Sequence, residues 1–581
     1  MEATTLTCDV LILGGGGAGL FAALHAWQRQ PRLHIVVAAK GIVGQSGCTR
    51  MVQGGFNAVL DPADSLEAHF LDTLQGGAWL NDQELAWVMV QEAPQRIAEL
   101  ESLGCFFDRR PDGRIAQKPF AGQSFHRTVH RGDLTGIEVM TRLKERLLGT
   151  PVTFLDDHRA LDLLPAPDGG CAGALLLNTR TGRFLVALAR MTIVATGGGA
   201  RMYRIAAPSL EKSGDGMAML WRAGVVLRDM EMFQFHPTGL VAGPSVLTGA
   251  VLEEGLRGAG GRLYNARGER FMARYDPQRL ERSTRDVVAR ACYLEILEGR
   301  GTPEGAVLLD VSHLGAEFVE RAFPGMVRRC REAGYDLARE PVPVSPTAHF
   351  HMGGARIDPW CRTSLPGLLV AGEDAGGVHG ANRLGGNGIA ESTVFGGRAG
   401  QCAAEEALSR PPPATSPAAL QEAITRALAP FSCHGSHSPF AVRRALQDLL
   451  WEKGGLVRTA RGLQEALEGL DALAERLRHA PVPHHREVNL AWQAWLDTAN
   501  MLTVARLLVE SALLRTESRG SHYRADFPEP NDREWLRTIC VQRMEGDASR
   551  LWTEPVPFTR VTPPGMTPGG GHPGTSAPSP C

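Results

Sequence analysis

Eleven cysteines are scattered singly through 581 residues, and no two of them stand in a Cys-x-x-Cys spacing. That absence argues against an iron–sulfur cluster, a zinc site or a c-type haem held by the chain itself. Isolated cysteines of a cytosolic protein usually pack as small apolar side chains. No run of 18 or more apolar residues occurs, so no transmembrane helix is expected. Neither sign of charge is in excess: 61 basic against 63 acidic residues leave a net charge of −2. This gives no electrostatic case for nucleic acid or for an anionic membrane. The N-terminus lacks a basic segment and a hydrophobic signal core, which points to the cytoplasm. There is no internal repeat.

What is present begins at Asp9-Val-Leu-Ile-Leu-Gly-Gly-Gly-Gly-Ala-Gly19. Val10 to Leu13 reads as a buried parallel strand, and the residues after Gly19 follow a helical period. Gly14, Gly16 and Gly19 fall on the G-x-G-x-x-G spacing of a dinucleotide site. The first glycine makes the turn, the second leaves room for a pyrophosphate, and the third lets helix and strand pack closely. The phosphates would sit on the helix N-terminus, where free N–H groups and the helix dipole favour anions. The next strand, Leu33 to Ala39, ends on Lys40 rather than on the acid that holds the adenosine ribose of a free nicotinamide dinucleotide. FAD held by other parts of the chain remains compatible.

At this length two to four domains are expected. Gly44 to Gly55 is a glycine-rich loop in which backbone can approach a ligand. Helical sequence runs from about Ser65 to Leu103 and from Thr135 to Leu148. Residues 151–194 alternate like a small antiparallel sheet and end in Ala195-Thr-Gly-Gly198. Asp215, heading a helix, is either a ligand residue or an N-terminal cap. The strand–helix rhythm is lost between about 235 and 350, which reads as an inserted domain, and resumes at Gly367. Pro411 to Pro417 reads as a linker. Residues 440–515 are helical, with Leu463, Leu467, Leu470, Leu473 and Leu477 as bundle core. The stretch Thr562–Cys581 is rich in Pro, Gly, Ser and Thr and is expected to be disordered. His34, His69, His126, His130, His479, His484 and His485 are assigned no function. The fold class is α/β. A Rossmann-like cofactor domain (1–234 and 351–410) carries an inserted α+β capping domain (235–350). A C-terminal helical domain (430–545) and a tail (560–581) follow.

Ten landmarks in fixed order carry a resemblance. They are Gly14 to Gly19, Gln53-Gly-Gly55, Arg109-Arg-Pro-Asp-Gly113, Ala195-Thr-Gly-Gly198, Gln234-Phe-His-Pro-Thr-Gly239, Glu254-Gly-Leu-Arg-Gly258, Arg285-Asp-Val-Val-Ala-Arg290, Pro346-Thr-Ala-His349, His379-Gly-Ala-Asn-Arg383 and Glu517-Ser-Arg-Gly520. From Asp9 to about Pro528 the chain resembles the flavoprotein subunits of fumarate reductase and succinate dehydrogenase, a family that includes the L-aspartate oxidases. The resemblance implies FAD, a dicarboxylate substrate, and hydride exchange at flavin N5. It assigns substrate carboxylates to His236, His349 and Arg383, with Phe120 and Gln123 in the substrate loop. It makes Arg285 the proton donor, linked to solvent by Glu254 and Arg257. It assigns FAD to Gly14, Gly16, Gly17, Gly19, Lys40, Ser46, Gln53, Gly54, Gly55, Ala195, Thr196, Gly197, Asp215, Glu373 and Asn387. With no cluster of its own, the chain would draw electrons from a separate iron–sulfur subunit, and would sit in the cytoplasm or at the inner face of the membrane through partners.

Two departures stand out. The family's flavin-linking histidine is missing, since no histidine lies between His34 and His69. FAD is therefore expected to be non-covalent, with a thioether at Cys48 as the exception. Second, Glu253 stands where the family has Thr or Ser before the Glu, in a segment a few residues longer than usual. A glutamate there repels a carboxylate unless it is protonated or turned away. Either it points elsewhere or the substrate differs from plain fumarate or succinate. The competing functions are a fumarate reductase or succinate dehydrogenase flavoprotein, an L-aspartate oxidase, and a non-catalytic electron-transfer flavoprotein.

Overall fold

The structure, a computed structural model, describes residues 3–566. Its centre is a seven-stranded sheet in which Thr4–Leu13 is flanked in parallel by Ile35–Ala38 and Phe184–Val194. Both neighbours are needed because Val10 to Leu13 carry apolar side chains on both faces and are fully buried. Leu368–Val370 returns beside the end of Phe184–Val194, pairing Leu368 with Thr192. Three strand ends therefore converge at Leu13, Val194 and Val370. The C-terminal ends of parallel strands are where α/β sheets bind ligands.

The chain turns at Gly14, whose φ is +122°, and enters the helix Gly17–Arg29. A Cβ at Gly19 would lie 1.9 Å from the Gly14 carbonyl oxygen, so glycine is what allows helix and strand to meet. The expected sheet of residues 151–194 is an antiparallel meander, His158–Pro165, Cys171–Asn178 and Phe184–Val194. It is not a separate sheet, because its last strand is also a central strand of the parallel array. The helical stretch after Ser65 is two helices, Leu66–Gly76 and Gln83–Ser102, the second capped by Asp82.

Residues 240–344 build a second apolar core of their own, around Leu256, Leu263, Val288, Leu309 and Val344. Its four-stranded antiparallel sheet has the outer strands Phe233–Leu240 and Arg262–Tyr264. The register His236↔Thr347 sets two histidine-bearing strands side by side at the border of this unit.

The C-terminal region departs from the expectation of helices throughout. Pro439–Lys453, Ala460–Arg478 and Leu490–Leu514 are helices, and Leu463, Leu470, Leu473 and Leu477 are buried. Arg537–Arg543 and Ser549–Pro555, however, form a hairpin. That hairpin extends a small sheet through Leu227–Arg228, burying Ile539 and Val541. The expected linker gives way at once to a helix, Pro417–Leu428, capped by the Ser416 hydroxyl. The start of the tail is also ordered: Val561 exchanges hydrogen bonds with the Gln83 amide, and Arg560 pairs with Glu84 at 2.8 Å. The rest of the expected disordered tail, 567–581, lies outside the described residues. Among the described residues no helix is long and apolar enough to cross a membrane.

Candidate active site

A cavity of about 650 Å³ runs from the glycine turn, past the converging strand ends, to the border of the inserted unit. Backbone rather than side chains lines its first end. Gly14, Gly16 and Gly17 face it from the turn, Gly54 and Gly55 from the loop, and Ala195, Thr196 and Gly197 from the neighbouring strand end. A Cβ at Gly14 would lie 2.0 Å from the Ala195 carbonyl oxygen, and one at Gly198 would lie 2.2 Å from Glu373 Oε1. Ser46 and Gln53 line the same end.

Lys40 and Asp215 line it too, but chiefly hold each other. The Lys40 ammonium donates to Ser213 Oγ at 2.9 Å, Asp497 Oδ1 at 2.5 Å and Asp215 Oδ2 at 3.2 Å. Arg159 and Asn500 donate to the other Asp215 oxygen at 2.7 Å each. Burial raises the Asp215 pKa, but the Arg159 and Lys40 charges outweigh it and hold the group well below the usual carboxylate range. Asp215 is the first residue of its helix and caps nothing, since the cap position is Gly214. Glu373 accepts from the His351 N–H at 2.8 Å and pairs with Lys212, whose ammonium also donates to the His349 carbonyl oxygen at 3.0 Å.

The other end is built from separated segments of the chain. Phe120, His236, Glu254, Arg285, His349 and Arg383 all line it. The His236 and His349 ring centroids are 5.4 Å apart, as the strand register dictates. Arg285 opens the helix Arg285–Leu297 and donates from Nε to Glu254 Oε2 at 2.7 Å. Its Nη1 donates to Gln234 Oε1 at 3.2 Å. The Gln234 amide nitrogen donates onward to the Arg383 carbonyl oxygen at 2.7 Å. Arg383 lies over the Phe350 ring at 4.3 Å, is 6% exposed, and has no carboxylate in ion-pair contact among the described residues. Burial, and then the charge of Arg285, push its pKa down to about 9.

The same field acts on the histidines. Burial and then the charges of Arg285, Arg257 and Arg383 push His236 well below 6.5, and burial, Arg285 and Arg383 do so for His349. Both rings are therefore neutral at neutral pH. Glu254 is the counterweight: burial raises its pKa, but Arg285 and Arg257 outweigh this and keep it ionised. This end is a buried, cation-rich chamber, suited to a small anion with more than one negative group.

Four of the expected contacts are not brought to the cavity wall. Arg257 stands behind Glu254 at 4.0 Å and donates to the Glu281 carbonyl oxygen at 2.7 Å. At 1% exposure it meets no solvent, and Arg270, paired with Glu281, continues the line outward. Gln123 turns to the Gly385 carbonyl oxygen at 3.0 Å and so braces the loop carrying Arg383. Asn387 is tied to Asn57, His69 and Thr73, a fully buried amide network that leaves no group for a ligand. Gly19 serves packing alone.

Glu253 neither points away from the molecule nor stands unpaired. It is 2% exposed, lines the cavity, and accepts from Lys118 Nζ at 3.2 and 3.3 Å. Lys118, Lys212 and Arg159 escaped the sequence reading because none belongs to a spaced motif. Only Lys212, adjoining Ser213-Gly-Asp-Gly216, had a neighbour to flag it.

Comparison with known proteins agrees with this layout. Residues 9–389 match the FAD binding domain family and residues 443–568 the fumarate reductase flavoprotein C-terminal family. One of the two named subunits of a fumarate reductase (CoM/CoB) from Methanothermobacter marburgensis is 44% identical over 94% of this chain and 98% of its own. An L-aspartate oxidase of Synechocystis is 36% identical over 92% of this chain and 97% of its own. Among solved structures, a variant of E. coli quinol fumarate reductase FrdA superposes with a TM-score of 0.92 at 33% identity, covering 96% of this chain and 98% of that one.

Proposed function

The chain belongs to the fumarate reductase and succinate dehydrogenase flavoprotein family and binds FAD, and from that premise we propose that it interconverts fumarate and succinate. In this reading it is the flavoprotein component of an assembly whose separate iron–sulfur protein supplies or removes electrons. The observation that carries the reading is Arg383, a buried cation without a carboxylate partner among the described residues, facing a second cation and two neutral histidines. A dicarboxylate bound there supplies the missing negative charge.

The residues present fit FAD. The glycine turn at 14–17 leaves backbone exposed to the cavity at the start of a helix, and Glu373, on the wall between the two ends, offers a carboxylate to hydroxyls. When bound, FAD supplies a two-electron carrier that exchanges a hydride with the substrate carbon at its N5 position. The chain's own residues do the rest. Arg383, His236 and His349 hold the carboxylates, the guanidinium as a two-pronged donor and the neutral rings as single donors. Phe120 packs so closely over Gly54 that a Cβ there would lie 2.4 Å from Cζ, which closes the loop side to water.

Arg285 gives the proton to the substrate carbon in fumarate reduction. Free arginine is a poor acid, with a pKa above about 12. The transfer therefore needs recharging in step, through the 2.7 Å bond to Glu254, with Arg257 and Glu281 behind it. FAD is held without a covalent bond, because no histidine stands in the loop and burial raises the Cys48 thiol, which suppresses the thiolate. Release of all flavin on acid precipitation is expected; flavin left on the denatured chain refutes this part. The protein works in the cytoplasm, at the inner face of the membrane where partner proteins hold it there.

The deciding assay is anaerobic, with purified yellow protein, reduced viologen dye and fumarate. Rapid dye oxidation is expected. No oxidation by fumarate, together with oxidation of added L-aspartate, would transfer the assignment to the L-aspartate oxidase branch.

A further inference from the structure

Glu253 poses a physical problem for a dicarboxylate site, and its surroundings contain the answer. It lines the cavity one residue before Glu254, so a second carboxylate faces the chamber that must accept a dianion. Its one cation partner among the described residues is Lys118, bonded to both carboxylate oxygens at 3.2 and 3.3 Å. Lys118 lies on a short strand of the cofactor domain, and its ammonium is anchored there by the Gly132 carbonyl oxygen at 3.2 Å. Glu253 belongs to the inserted unit. The bond therefore crosses the seam between the two.

Two further contacts cross the same seam nearby. The Ala121 N–H donates to Glu254 Oε1 at 2.9 Å, and the Met326 N–H donates to Asp133 Oδ2 at 3.1 Å. Both would form whatever residue stood at 253. The Lys118 bond alone depends on it.

We propose that Lys118 is a positioning and charge-compensating residue for substrate, pairing with Glu253 across the domain seam so that the chamber can accept a dicarboxylate despite the extra acid. This rests on the dicarboxylate reading above. Like charges brought together in a buried site cost several kcal/mol of binding, so the pair should act on substrate affinity before it acts on the chemical step. A lysine whose role was only to hold the fold would depend on neither the charge of residue 253 nor the charge of the ligand.

The test is steady-state fumarate reduction by the FAD-loaded wild type and by Lys118→Met, Glu253→Gln and the double variant. Lys118→Met should raise the fumarate KM by about tenfold or more, with a smaller change in kcat. Glu253→Gln should leave KM equal or lower it, and the double variant should return KM to within about threefold of wild type. A double variant as impaired as Lys118→Met overturns the inference. So does a Glu253→Gln enzyme with a raised KM, which remains decisive should Lys118→Met fail to fold. A wild type that turns over fumarate while Lys118→Met keeps its KM refutes this inference and leaves the function intact. A wild type that neither reduces fumarate nor shows a flavin spectral change with malonate refutes both.

Discussion

Arg285 and Glu254, 31 positions apart, are joined by a 2.7 Å bond from Nε to Oε2 inside the cavity wall. Each is fixed independently of the other: Arg285 opens a helix, and Glu254 accepts from the Ala121 N–H at 2.9 Å. Gln234 then connects Arg285 to the loop of Arg383. The proton-handling pair and the carboxylate clamp are thus one hydrogen-bonded unit.

Replacing Arg285 with Gln should lower turnover by about 10²–10⁴-fold, the range for loss of a positioned acid. The flavin spectrum should keep its wild-type intensity, since the cofactor end of the cavity is untouched. Turnover that survives the change would remove Arg285 from the proton step.

Arg383→Met should separate binding from folding. Loss of one partner of a buried charge interaction costs about 2–5 kcal/mol of substrate binding, seen as a steep rise in KM. The ligand-free protein should melt higher, because an unpaired buried cation is removed. Succinate should raise the Tm of wild type and not of the variant. A variant that melts lower, with substrate affinity retained, contradicts the clamp.

Gly385 is the tightest point of the chemistry. A Cβ there would lie 2.6 Å from Phe120 Cδ2 and 2.9 Å from both Arg285 Nη2 and Glu254 Oε2. Gly385→Ala should push the pair apart and cut kcat by about a hundredfold, as ångström-scale misplacement does, while FAD content stays near wild type. Near-normal kcat would show that the pair can shift without loss.

His236 and His349 carry pKa values pushed well below 6.5 by burial and by the surrounding arginines. Below pH 6.5 the unfolded chain takes up protons that the folded rings refuse, so their contribution to stability is present above 6.5 and lost as the pH falls, by up to about 1.4 kcal/mol per unit for each ring. The urea midpoint should fall between pH 7 and 5, and His236→Asn should reduce that fall. The pH profile of kcat/KM should show no inflection near 6.5 from either ring. An inflection there that disappears in His236→Asn would mean the ring titrates in the working enzyme.

The glycine turn, the helix Thr135–Leu148, the leucine core of Ala460–Arg478 and the cavity-facing set of His236, Glu254, Arg285, His349 and Arg383 could all be read along the chain. The hairpin of Arg537–Arg543 and Ser549–Pro555 could not. It completes a sheet whose other strands, Leu227–Arg228 and Gly354–Ala355, are two residues long and leave no alternating pattern in the sequence. Gln123 and Asn387 sat inside family motifs yet serve the scaffold, since a motif preserves residues that brace a site as well as residues that touch a ligand.

The sequence alone determined what depends on local geometry. A strand that must end on glycines, a helix that must begin after them, and the residue types able to grip a carboxylate follow from steric freedom, periodicity and side-chain chemistry within a few residues. Only the tertiary structure decided which charges meet. Lys40 finds Asp497 across 457 positions and Lys118 finds Glu253 across 135. Whether an acid repels or is compensated depends on distance and burial in space, and neither quantity is written in the order of the residues.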